Sequence, residues 1–128
     1  VAPGVTQTGG RTDEAVSLQN VYATLADLAG LGVPVHVDGT SLRPLLEDPS
    51  SSWDEVAFTT AEFGSYAMQD DHFRYIRYLE GEEELYDHRS DPNEWKNLAS
   101  DPAFAETLEA MRAKVPPFGQ QAPPQVLE

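Results

Sequence analysis

Three histidines, His36, His72 and His88, have rings that in other settings ligate metals or move protons, but each stands without a second ligand at metal spacing. Structural or solvent-exposed roles are expected for them, and no metal is assigned. Asp87, Asp91, Asn93 and Glu94 gather side-chain oxygens of the kind calcium takes. The EF-hand order with its glycine is missing, and Asp91 and Glu94 have a simpler use as caps of a helical turn that Pro92 opens. The run from Glu62 to Tyr66 reads as a turn between strands that could project towards a cleft. Glu62, Tyr66 and His72 are therefore candidates for shaping substrate access, weighed against a plain hairpin connection. Arg74 and Arg77 are expected to lay their stems along a sheet and pair with Glu80 to Glu84. Without cysteine there is no thiolate nucleophile, disulfide framework or thiolate metal site, and cysteine usage says nothing of the redox compartment. No residue is assigned a catalytic role.

The elements that would position these groups follow from periodicity. Leu18, Val21, Tyr22, Leu25 and Leu28 form a helical stripe, with Ser17 as cap and Gly30 just past the end. The segment from Gly30 to Gly39, with Gly32, Pro34 and Asp38-Gly39, is a connection. Thr40 or Ser41 then caps a short helix through Leu42, Leu45 and Leu46. From Trp53 the period changes, and strands are expected at 56–60, 66–70, 73–79 and 84–87. The third carries bulk on both faces, as a strand inside a sheet does. Glu80-Gly81-Glu82-Glu83 reads as a solvated turn, because three like charges beside a glycine repel unless they face water. Asp91-Pro92-Asn93-Glu94 and Asp101-Pro102 both read as helix openings. After the second, Phe104, Leu108, Met111 and Val115 make one apolar stripe. The expectation is an α+β fold: a small four-stranded antiparallel sheet with a C-terminal helix, 102–114, packed on one face.

The chain has 128 residues, enough for one domain with a real core. Eight basic against 22 acidic residues leave a formal charge of −14, which disfavours nucleic acid and anionic membrane surfaces as partners. No apolar run is long enough to span a membrane and no export signal is visible, although a chain opening on Val1 is expected to lack its natural amino terminus. The stretch 116–128, rich in Pro and Gln, reads as a disordered tail whose final Leu127-Glu128 resembles a cloning scar. The organisation expected is therefore 1–50 as trailing loop and helices of a larger domain, 51–115 as the sheet-plus-helix unit, and 116–128 as tail.

Several pieces in order carry a resemblance. Val16-Ser17-Leu18 enters a helix, Leu28-Ala29-Gly30-Leu31 leaves it, and Asp38-Gly39-Thr40-Ser41-Leu42 follows. A Tyr/Arg-rich strand then precedes Glu84-Leu85-Tyr86-Asp87 and Asp91-Pro92-Asn93-Glu94 with Asn97-Leu98. Together, over roughly residues 1 to 115, they are similar to the carboxy-terminal part of sulfatases, nearest the iduronate-2-sulfatase-like branch. The resemblance implies the C-terminal subdomain of an alkaline-phosphatase-like fold. Its parent would be a sulfuric ester hydrolase acting on sulfated sugars, with a formylglycine made within Cys/Ser-x-Pro-x-Arg and a bound calcium. It also implies an N-terminal catalytic domain as partner and an exported parent protein. Ser90-Asp91-Pro92-Asn93-Glu94 and Ser100-Asp101-Pro102-Ala103-Phe104 match Ser-x-Pro but put Glu or Phe where the arginine belongs. Relatives often carry Asp and Pro where Asn20 and Ala23 stand, and arginine in place of Gln69, which leaves helix entry and an anion contact open. Alternatives are a noncatalytic acidic interaction module and a phosphate- or phosphonate-ester hydrolase of the same superfamily. Taken alone, the chain is expected to be inactive and to self-associate through the helix at 17–29.

Overall fold

A computed structural model describes residues 9–62 and 64–115. The readings made for 1–8 and for the tail at 116–128 lie outside the described residues. The chain divides into two compact units, Val1–Glu55 and Val56–Glu128.

In the first unit, helix α1 spans Gln19–Leu28 and α2 spans Arg43–Glu47. The Ser17 hydroxyl accepts the Gln19 N–H at 3.1 Å while the Asn20 carboxamide accepts the Ser17 N–H at 2.8 Å, so Asn20 does the reciprocal capping an acid would do. At the other end the Leu31 N–H reaches the Ala26 carbonyl and the Gly30 N–H the Asp27 carbonyl, with Gly30 at φ 70°. That is a Schellman ending, which needs the left-handed conformation glycine adopts without cost. The buried side of α1 is the small, polar one. Ala23 and Thr24 face inward, Thr24 Oγ1 accepts the Leu42 N–H at 2.9 Å, and Asn20 Nδ2 donates to the Thr40 carbonyl at 2.9 Å. Ser41 and Arg43 both bind Asp27, and the Ser41 hydroxyl caps α2 through the Arg43 N–H. This close approach depends on Gly39, where a Cβ would sit 2.0 Å from the Gln19 carbonyl oxygen. The apolar stripe of α1 stays outside: Leu18, Val21, Tyr22 and Leu25 are all exposed.

The second unit is a four-stranded antiparallel meander in the order β1-β2-β3-β4, with β1 Ala57–Glu62, β2 Ser65–Gln69, β3 Phe73–Arg77 and β4 Glu83–Asp87. Register pairs Phe58 with Met68, Met68 with Tyr75, and Tyr75 with Leu85, so one residue from each strand lines a single face. Those four residues, with Tyr66, form the core against Leu98 and the stripe Leu108, Met111 and Val115. Asp101 accepts the Ala103 N–H at 3.0 Å, a 3-10 turn follows at Pro102–Phe104, and α3 runs Ala105–Ala113. β3 is an interior strand, as its two-sided bulk required.

The structure departs from the sequence reading at several points, and the run read as a turn from Glu62 to Tyr66 is narrower, with Glu62 in β1 and Ser65 and Tyr66 in β2. β3 stops at Arg77, because the Gly81 N–H bonds to the Tyr78 carbonyl and the Tyr78 N–H to the Glu82 carbonyl, which turns the chain before Leu79. Glu83 leaves the solvated turn and joins β4. At Asp91-Pro92 no helix follows: Glu94 takes φ 57°, outside the helical region, so only a turn forms.

Candidate functional site

Glu83 is the most strongly held carboxylate on the core side. Arg112 clamps it, its Nε donating to Glu83 Oε1 at 2.8 Å and its Nη2 to Oε2, while the Tyr75 hydroxyl donates to Oε1. The Arg112 hydrogen bonds dominate and hold the Glu83 carboxyl down to about 2. Burial together with that carboxylate pushes the Tyr75 phenol well up. The partner expected for this stretch of acids was Arg74 or Arg77. α3 supplies it instead, because Arg112 lies one position past Met111 on the rim of the apolar stripe and so overhangs the end of β4.

The opposite face of the sheet carries a second network. Arg74 donates to Glu94 at 3.1 Å and His88 Nε2 lies 2.8 Å from the same carboxylate oxygen. This double grip compensates the left-handed backbone at Glu94. The Tyr78 and Tyr86 hydroxyls both donate to Glu84, at 3.2 and 2.9 Å, and burial followed by the Glu84 hydrogen bond raises Tyr86 to about 12. These groups are paired with one another, and none is left as a free base.

The segment 91–99 is tied along the outer edge of β4. The Asn97 side chain accepts from the Leu85 and Ala99 N–H groups and donates to the Glu83 carbonyl, and the Leu98 N–H donates to the Leu85 carbonyl at 2.8 Å. An edge that would be open to pairing is thus covered. The Asp91 carboxylate accepts the Lys96 N–H at 2.8 Å, and that bond leads in holding its pKa below the usual range. Held in this way, the segment borders a pocket of about 390 Å³ lined by Ser90, Asp91, Trp95, Lys96, Leu98 and Phe104, and Trp95 itself is 86% exposed. Trp95 was not among the residues singled out from the sequence; the signal available was a tryptophan outside any apolar stripe.

The residues singled out for substrate access do not converge. Glu62 ends β1 beside the first hairpin turn, opposite Ser65 in register. Tyr66 is 5% exposed, stacked on Phe58 at 5.4 Å, and belongs to the core. His72 lies at the other end of the sheet in the turn between β2 and β3, its Nδ1 3.2 Å from Asp71. The groups that the sulfatase resemblance implies do not fit this chain either. Among the described residues no three His, Cys, Asp or Glu side chains are arranged to hold a metal ion. Asp87 is spent on Arg89, Glu94 on Arg74 and His88, and Asp91 on backbone N–H groups. Neither Ser-x-Pro run is followed by arginine, and Ser90 Oγ donates to the Asp87 carbonyl.

Residues 1–121 match the family model of the N-sulphoglucosamine sulphohydrolase C-terminal domain. The chain belongs to this sulfatase C-terminal family. It is 36% identical over 108 residues to a sulfatase of Formosa agariphila, covering 84% of this chain and 21% of that protein. To a Delta 4,5-hexuronate-2-O-sulfatase of Bacteroides thetaiotaomicron it is 35% identical over 124 residues, covering 87% of this chain and 25% of the relative. A solved 2-O GAG sulfatase superposes with TM-score 0.61 at 31% identity, over 87% of this chain and 26% of that one. The phosphonate monoester hydrolase of Agrobacterium radiobacter superposes with TM-score 0.56 at 30% identity, over 74% and 23%. The sulfatase C-terminal chain thus spans about a quarter or less of the relatives it matches. The sheet-plus-helix architecture is that of sulfatases with the alkaline-phosphatase-like fold, as the sequence implied.

Proposed function

We propose that this chain is the C-terminal wall of a sulfatase that hydrolyses sulfate esters of sugars, packing beside a catalytic domain supplied by another stretch of polypeptide. The observation that carries the reading is the family match across 121 residues, joined to a site inventory in which every strongly held carboxylate has a structural partner. The sugar preference is supported by the relatives, a hexuronate-2-O-sulfatase and a 2-O GAG sulfatase. In this reading the formylglycine, the calcium and the sulfate-holding cations belong to the other domain, the whole protein is exported, and the present residues contribute no proton transfer. Glu62 and His72, at opposite ends of the sheet, remain the candidates for touching a cleft, whereas Tyr66 acts through the core.

The test is hydrolysis of a chromogenic aryl sulfate, with a chromogenic aryl monoester of a phosphonate as second substrate. The 128-residue chain alone should give no turnover. The longer polypeptide with a Cys/Ser-x-Pro-x-Arg motif should cleave the sulfate. Phosphonate cleavage without sulfate cleavage would favour the second reading, to which the Agrobacterium neighbour lends support. Turnover by the chain alone that Ser90→Ala or Ser100→Ala abolishes would end the proposal.

A further inference from the structure

We propose that the outer face of α1 is an interface, covered by an uncharged apolar layer of the same longer polypeptide, and that the first unit depends on that cover to fold. The existence of the longer polypeptide rests on the sulfatase reading above; the need for a cover comes from the unit itself. Leu18, Val21, Tyr22 and Leu25 stand at i, i+3, i+4 and i+7, the spacing of a helix face that packs, yet they are between 44% and 90% exposed. Leu31 and Val35, in the connection that follows, are exposed as well. Among the described residues of this unit only Ala23 and Leu45 are buried apolar side chains, and the core cluster belongs entirely to the second unit. The inner side of α1 is tied to 39–42 through Asn20 and Thr24. Such bonds replace bonds to water and gain little net stability, while ordering the helix is opposed by chain entropy.

A unit this small and this short of core is ordinarily held by a disulfide, a metal ion or association with other polypeptide. The chain has no cysteine, and among the described residues no side chains are arranged to hold a metal. Association remains. A second copy would bring together two chains of net charge −14, which repel. The chain spans only 21% and 25% of two sulfatase relatives, so in proteins of that length most of the polypeptide lies outside it and can supply the layer. Being joined covalently, that layer meets the face at an effective concentration of roughly millimolar, which a second copy in dilute solution does not reach. The stripe itself fixes the chemistry of the cover. Tyr22 alone among its four residues has a polar side-chain atom, so a charged surface laid on it would be desolvated without a partner. A bare sheet face or another apolar helix fits.

The test uses the lack of cysteine: Leu25→Cys and, as a second site, Val21→Cys each introduce a thiol unique within these 128 residues, followed in its own peptide by mass spectrometry. Alkylation by iodoacetamide is timed for the 128-residue chain and for the longer polypeptide, each against the same protein in urea, with circular dichroism as the check on folding. In the dilute 128-residue chain both thiols should react at close to the urea rate. In the longer polypeptide both should react at least about tenfold more slowly, at every protein concentration. Should Leu25→Cys fail to fold there, Val21→Cys, the less exposed of the two positions, decides. Rapid labelling in the longer polypeptide overturns the proposal. So does protection there that grows with concentration, which makes a second copy the occupant, and so does protection in the dilute isolated chain. Sulfate turnover does not enter this readout. Protection without turnover keeps the interface and ends the catalytic reading; turnover with rapid labelling does the reverse.

Discussion

Replacing Glu83 by glutamine tests the clamp that joins α3 to the sheet. Glu83→Gln keeps the shape and an acceptor for the Tyr75 hydroxyl but removes the charge that Arg112 holds from α3. The carboxyl falls from an ordinary value of 4.5 to about 2 on folding, and at about 1.4 kcal/mol per unit that gap corresponds to roughly 3 kcal/mol. The Glu83 side chain is only 16% exposed but that of Arg112 is 36%, so solvent screening reduces the working figure to about 2 kcal/mol. Because the folded pKa is depressed, this stabilisation is fully present above pH 4.5 and is lost as pH falls through about 2. Urea unfolding followed by the near-UV signal of the buried tyrosines, at steps from pH 7 to pH 2, measures it. The variant should be about 2 kcal/mol less stable at pH 7, and the two stability curves should converge at the acid end. Parallel curves, with a constant gap from pH 5 to pH 2, would refute the assignment of the shift to Arg112, because a merely steric defect does not titrate.

Other outcomes follow from the same geometry. Asn97→Ala strands the Leu85 N–H and the Glu83 carbonyl at the sheet edge and should cost about 1–3 kcal/mol in urea denaturation, with the m-value unchanged. Gly39→Ala drives a methyl group onto the Gln19 carbonyl, an overpacking worth about 1–3 kcal/mol, and amide exchange at Leu42 should quicken while the β3 amides keep their rates. The stripe on α1, with Leu25 62% exposed, should drive the isolated chain above its 14.1 kDa monomer mass in light scattering, and the pair Tyr22→Asp and Leu25→Asp should restore the monomer.

The order of elements was open to reading because their signals are local. Strand alternation from Phe73 onward, the spacing of Leu108, Met111 and Val115, and the Asp101-Pro102 opening each act within a few residues, and all three recur in the folded unit. The α1 stop at Gly30 was equally plain. The same local logic failed at Asp91-Pro92, where the residues for a helix start are present. Arg74 on β3 and His88 just past β4 hold Glu94 where a helix cannot continue. At Tyr66 the turn-flanking position left the face open, and register with Thr60 and Arg77 turned the ring into the core. The exposed stripe of α1 matched its periodicity but not its use within this unit, where small residues allow the closer contact with the 39–42 segment.

By itself, then, the amino-acid order determined the family and the sheet-plus-helix plan with most of the residues that fill the core, because periodicity, capping and composition act at short range. Tertiary structure alone decided which charges meet. Arg112 reaches Glu83 across 29 positions and Arg74 reaches Glu94 across 20, and no spacing rule along the chain encodes such distances. It also decided that Trp95 stands largely in water, since exposure is a property of what packs nearby and not of the residue.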